Sequence, residues 1–217
     1  MKHIKKLDSC LIYDILEKMF IMKRLLLILI LTFSFQSWTM ADDIRDFEVE
    51  GMSIGDSLLN FISEIAIKKK INSYSNKGLI YKSKDYYAIT FKSSDTLNLG
   101  IYDQIQFHLK TKDSKYIVYA VAGIKLFRNK ITKCYPLLAE ISSEIKKLYP
   151  KIEFETIDFK NKRKKKSNKG YWFDFQSGSN IYLACEDWKK TSNIPDGLAL
   201  VLNEKKFQTW VNTKAYK

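Results

Sequence analysis

Few residues in this chain carry the means for bond-making chemistry. Beyond residue 41 there is one histidine, His108, and one pair of cysteines, Cys134 and Cys185. A serine hydroxyl is a weak nucleophile without an adjacent base. Structural and catalytic zinc sites take three or four closely spaced Cys, His or carboxylate ligands. Cys134, Cys185 and His108 are far apart in the chain and no Cys-x-x-Cys occurs, so no metal site is expected. No calcium loop, Walker loop or dinucleotide fingerprint is present either, so no cofactor is expected. The two cysteines form an even pair downstream of an apolar leader, and such a pair reads as a disulfide. A catalytic thiol lacks a partner.

Gly55-Asp56-Ser57-Leu58 spells the nucleophile block of the GDSL hydrolases. In that family the serine attacks an ester, and a distant Asp-x-x-His supplies the base. Here the residue three before His108 is Ile105, and no Gly-x-Asn-Asp block accompanies it. Asp56 and Ser57 are therefore expected to cap the start of a helix, and a GDSL-like esterase acting through Ser57 is kept as the alternative.

Charge offers a second route to function. The formal net charge is +13; residues 1–41 hold six Lys/Arg against three Asp/Glu, which leaves +10 on residues 42–217. Residues 160–169 carry seven of the basic side chains: Lys160, Lys162, Arg163, Lys164, Lys165, Lys166 and Lys169, with Trp172 shortly after. A basic loop beside aromatics suits transient contact with an anionic membrane or polysaccharide. Nucleic acid is not expected as a partner. The only arginines are Arg24, Arg45, Arg128 and Arg163, and Ile, Asn, Tyr, Phe and Lys abound. That is the bias of an AT-rich genome; a phosphate-reading surface favours the planar guanidinium.

The leader explains where such a domain works. Lys23-Arg24 precede an apolar run over residues 25–35, followed by Thr39-Met40-Ala41 and Asp42-Asp43. The run is shorter than the roughly 20 residues that cross a bilayer, and small residues at −3 and −1 complete a cleavable secretory signal. Residues 1–21 contain Asp8, Asp14 and Glu17, which suits an extension or an upstream start better than a signal. The expected organisation is thus an extension over 1–21, a signal peptide over 22–41 and a single domain over 42–217, periplasmic or secreted.

The elements that must position any site follow from periodicity. Apolar Leu58, Leu59, Ile62, Ile65 and Ala66 predict a helix over 56–69, and residues 71–84 read as a polar loop. Strands are predicted over 86–92, 104–110 and 116–127, with a bulge at Gly123. His108 is expected on the polar or boundary side of its strand. A second helix is predicted from a Thr132 cap through Pro136 to Pro150, its stripe being Cys134, Leu138, Ile141, Ile145 and Leu148. A strand over 152–159, the basic loop, and a hairpin follow. The hairpin sets Tyr171, Phe173 and Phe175 on one face against Ile181, Leu183 and Cys185, with Gly178 opening a type II′ turn. A last strand spans 197–202, before Phe207 and Trp210. Short connections imply a mainly antiparallel sheet in an α+β fold with two principal helices packed on one face.

Three segments, residues 46–59, Ile105-Gln106-Phe107-His108 and Cys185-Glu186-Asp187-Trp188, resemble small exported proteins of Pelagibacter-type marine alphaproteobacteria. The resemblance spans most of residues 42–217. It implies an exported bacterial protein and carries no catalytic residues over. The combined expectation is a monomeric, exported binding or accessory domain without catalysis.

Overall fold

Period-two alternation in seven segments builds the sheet. The computed structural model describes residues 43–75, 81–95, 97–128, 130–161, 166–189 and 195–217. The expected extension over 1–21 and signal peptide over 22–41, with Cys10, lie outside these residues. The strands are β1 (Tyr86–Lys92), β2 (Gln104–Lys110), β3 (Val118–Leu126), β4 (Glu153–Asn161), β5 (Lys166–Asp174), β6 (Asn180–Trp188) and β7 (Gly197–Asn203). They form one sheet in the order β1-β2-β3-β7-β6-β5-β4, and every neighbouring pair is antiparallel. The chain meanders through β1–β3, crosses to the far edge, and meanders back through β4–β7. Three helices accompany the sheet among the described residues: α1 (Glu64–Ser75), α2 (Cys134–Leu148) and α3 (Lys205–Thr213). The fold class is α+β, dominated by an antiparallel sheet.

One face of the sheet carries the large core. Ile89, Phe91, Ile105, Phe107, Leu109, Val121, Phe173, Ile181, Leu183 and Leu200 all join a single buried cluster there. Helix α1 packs near β1, and α2 lies over β6 and β7. From α2, Cys134, Leu138, Ile141 and Ile145 enter the cluster, as their i, i+4, i+7, i+11 spacing requires. Leu148 leaves that stripe and is 55% exposed, and Tyr149 is buried in its place. Thr132 does not cap α2. Residues Ile131–Lys133 form a 3-10 turn, and Lys133 at the cap position makes no side-chain bond.

Residues 55–58 depart from the predicted helix. Gly55 N–H donates to Val118 O, Val118 N–H to Asp56 O, and Leu58 N–H to Tyr116 O. This pairing holds the segment extended against the start of β3, so only a 3-10 turn, Leu58–Asn60, follows. Helix α1 begins later, where Ser63 Oγ accepts from Ala66 N–H. The later start rotates the buried stripe: Ile67 is fully buried, and Ile65 is 81% exposed.

The helices do not share one face. α3 packs on the other side, where Phe207 and Trp210 join Tyr81, Tyr86 and Ala120 in a second cluster. Glu204 caps α3 by accepting from Lys206 and Phe207 N–H. Tyr81, in the expected polar loop, is buried in this cluster. Gly123 is not at a bulge. The register shift falls between His108 and Leu109, opposite the residues before Ala120. At Gly123 the Tyr102 ring lies so close that a Cβ would come within 2.8 Å of it. Gly178 closes its turn: its N–H donates to Phe175 O, and its φ of +84° takes the left-handed region. A three-residue loop with glycine last replaces the type II′ turn.

Candidate functional site

Each chemical candidate acquires definite neighbours in the fold. Cys134, the first residue of α2, is bonded to Cys185 on β6, with Cα atoms 5.9 Å apart and both residues buried. That separation is ordinary for a disulfide. The bond ties the crossover helix to the centre of the sheet.

Ser57 donates its hydroxyl to Lys115 O at 2.7 Å and accepts from Leu59 N–H at 3.4 Å. Asp56 turns its carboxylate back to Ser53 N–H at 2.8 Å. His108 is not on a polar boundary. It is 7% exposed, its Nδ1 lies 2.7 Å from Tyr81 Oη, and its ring sits 4.9 Å from that of Phe207 on α3. Burial lowers its pKa to about 4 and pushes the Tyr81 phenol up. At neutral pH the imidazole is uncharged. It points away from the face that Phe107 and Leu109 occupy.

Both ends of the basic run lie in strands. β4 continues to Asn161 and β5 starts at Lys166, with Lys160 opposite Ser167. Lys160 is exposed, and Lys169 pairs with Asp158 at 3.9 Å on the surface. Lys166 belongs to β5 by its backbone. Lys162, Arg163, Lys164 and Lys165 lie outside the described residues. Trp172 does not accompany the tip. It sits six residues down β5 from Lys166 and stacks at 5.0 Å and 57° against Tyr182 of β6.

That contact marks a surface not anticipated from the sequence. On β6, Ile181, Leu183 and Cys185 enter the core, so Tyr182, Ala184, Glu186 and Trp188 face the opposite side. Trp172, Tyr182, Glu186 and Trp188 are all half-buried. Tyr182 Oη accepts from Asn168 Nδ2 at 2.7 Å and donates to Glu186 Oε1 at 3.2 Å. Burial, and then the Glu186 charge, push the Tyr182 phenol up. The Asn168 Oδ1 is buried without a hydrogen-bond partner. Between the aromatic ends lie small residues, because Gly170 is paired with Ala184 and Ala184 with Ala199.

At the far end the face dips into a cleft of about 220 Å³, lined by Gln104, Ile124, Leu126, Glu186, Trp188 and Pro195 above the start of β7. Buried Asp196 holds that end together. Its carboxylate accepts from Trp188 N–H at 2.9 Å, and its carbonyl accepts from Phe127 N–H at 2.7 Å. A wider cleft beside α1 is lined by Phe91, Ser73, Lys69, Lys70 and Asp95, and Lys70 pairs with Asp95 there at 2.7 Å. Among the described residues no group of three or more His, Cys, Asp or Glu is placed to hold a metal. No helix among them is long and apolar enough to cross a membrane. The signal that could have found the β6 surface was legible. Tyr, Glu and Trp alternate with Ile, Leu and Cys, so this strand is built for two environments.

No family model matches the chain, and neither a curated protein nor a solved structure matches it.

Proposed function

We propose that residues 42–217 are an exported, non-catalytic binding domain, and that its ligand meets the sheet face carrying Trp172, Tyr182, Glu186 and Trp188. One observation carries the reading. Two tryptophans and a tyrosine stay half-buried on a sheet whose other face is filled with apolar side chains. Aromatic side chains held at a surface beside amides and a carboxylate are what small-molecule and polymer sites use for contact and orientation. The disulfide fits an oxidising compartment. The leader at 22–41 and the resemblance to marine alphaproteobacterial exported proteins point the same way. Ser57 bonded to a main-chain carbonyl and His108 enclosed with Tyr81 and Phe207 favour structural roles for both.

The test has two parts. Mass spectrometry of the protein from its producing cell should find an N-terminus near Asp42; retention of residues 25–35 speaks against export. Hydrogen exchange of the disulfide-intact protein, with and without envelope extract of that cell, should show protection over β5 and β6. Protection absent from these strands sinks the binding face.

A further inference from the structure

We propose that β4 pairs with β4 of a second copy of this chain, joining two sheets across a two-fold axis at Phe159. β4 is one of the two edges of the sheet, and the two edges differ. β1 is buried at five of its seven residues, and α1 packs beside it. β4 is uncovered: of residues 153–160, Ile157 is half-buried and the rest are exposed. Among the described residues, the only hydrogen-bond partners of the β4 backbone are those of the β5 ladder. The outward N–H and C=O groups of such an edge are a template for another strand. The nine residues of β4 keep an unbroken antiparallel register with β5, without a bulge or a proline. Phe154 and Phe159 stand 45% and 55% exposed along it.

Charge selects the occupant. β4 begins with Glu153 and Glu155, continues through Asp158 and reaches Lys160 near its end. A parallel copy would set like charges together. An antiparallel copy sets the acidic start of one strand toward the basic end of the other, and a two-fold axis does this for both copies at once. Directly opposed residues share a face of the joined sheet. With the axis at Phe159, each Asp158 lies opposite the partner's Lys160, and the two Phe159 rings meet on the other face. An axis at Asp158 or at Lys160 would set like charges against each other, and one at Ile157 would oppose no ion pair within β4. Lys169 approaches Asp158 from the β5 side, at 3.9 Å, and leaves the outer side to the partner. One strand pair with two rings is at the small end of specific interfaces, so the dimer is reversible. It departs from the monomer expected from the sequence.

The experiment is sedimentation of the disulfide-intact chain at protein concentrations from about 1 µM to about 1 mM. The mass should rise from one chain to two and stop there. Amides of β4 should exchange more slowly at the high end, and those of β1 equally at both ends. Phe159→Lys, at an exposed position, sets two lysines on the axis. It should weaken the dimer about tenfold or more, with its thermal unfolding midpoint retained. Lys160→Asp and Asp158→Lys should each lose self-association, because each then opposes like charges, and an equimolar mixture of the two should form a mixed dimer. Phe159→Cys should form an interchain disulfide on oxidation, since directly opposed Cα atoms lie about 4.5–5.5 Å apart, within disulfide reach. A mass of one chain at every concentration overturns the self-pairing. So does a dimer that these variants leave unchanged, or a mixture that does not associate. A chain that stays monomeric, yet has its β4 amides protected by envelope extract, also overturns it and assigns the edge to another polypeptide.

Discussion

His108 should make the stability of this protein acid-sensitive well above the range where carboxylates titrate. The imidazole is enclosed by Tyr81 from one side and Phe207 from the other. Burial lowers its pKa from 6.5 to about 4. In the unfolded chain it keeps a pKa near 6.5. The native state therefore refuses a proton that the unfolded chain accepts. Its contribution is fully present above pH 6.5, declines as pH falls toward 4, and is flat below that. At 1.36 kcal/mol per pKa unit the loss across that window is about 3 kcal/mol, a large fraction of a typical 5–15 kcal/mol stability. The assay is urea unfolding, followed by tryptophan fluorescence at pH values from 7.5 to 4 with the disulfide intact. His108→Gln removes the titration. It should cost about 1–2 kcal/mol at pH 7.5 through the lost Tyr81 bond and ring packing. Its stability should then fall less steeply than that of the parent between pH 6.5 and 4. Lowered carboxylates such as Glu50, whose three bonds from Gly100, Ile101 and Tyr102 N–H outweigh its burial, contribute equally to both proteins. The difference between the two curves isolates the imidazole. Parallel curves would refute the argument, as would a His108 ring signal titrating near 6.5 in the folded protein.

Two further outcomes follow from the packing. Replacing both Cys134 and Cys185 by alanine should lower stability by about 4 kcal/mol on the chain-entropy account, given a separation of 51 residues; thiol-blocking reagent should label neither cysteine in unreduced, denatured protein, and labelling of both disproves the bond. Gly170→Ala should cost about 2 kcal/mol or more, because a Cβ there would lie 2.0 Å from Leu183 O and 2.6 Å from Ala184 Cα, both backbone atoms that cannot yield. An unchanged urea midpoint for that variant would contradict the close approach of β5 to β6.

The parts of the fold that were legible are those where local pattern and tertiary context agree. β1 and β2 appear at their predicted bounds because Ile105, Phe107 and Leu109 alternate with polar neighbours and do face the core. The Cys134–Cys185 bond was legible for the same reason: both residues lie on apolar stripes that the fold brings face to face. Misreadings arose where backbone pairing overrode side-chain pattern. Leu58, Leu59, Ile62 and Ile65 have helical spacing, yet hydrogen bonds to residues 116 and 118 hold the start of that segment extended. α3 was missed as a covering element because its nine residues carry only Phe207 and Trp210 inward. Their partners, Tyr81 and His108, are distant in the sequence and individually unremarkable. His108 looked like a boundary residue, and only the arrival of α3 and Tyr81 encloses it.

The disulfide and the open face are connected through β6. In a strand, side chains alternate strictly, so a slip of one residue would exchange everything on the two faces. Cys185 is bonded to α2 on the core side. This fixes which parity of β6 is inward, and with it the outward set Tyr182, Ala184, Glu186 and Trp188. Asp196 fixes the end of the same strand by accepting from Trp188 N–H. Tyr182 and Trp188 are thus flanked by a covalent bond three residues from each and by a buried carboxylate at the end of the strand. The disulfide therefore has a role beyond stability: it fixes which side chains of β6 face outward.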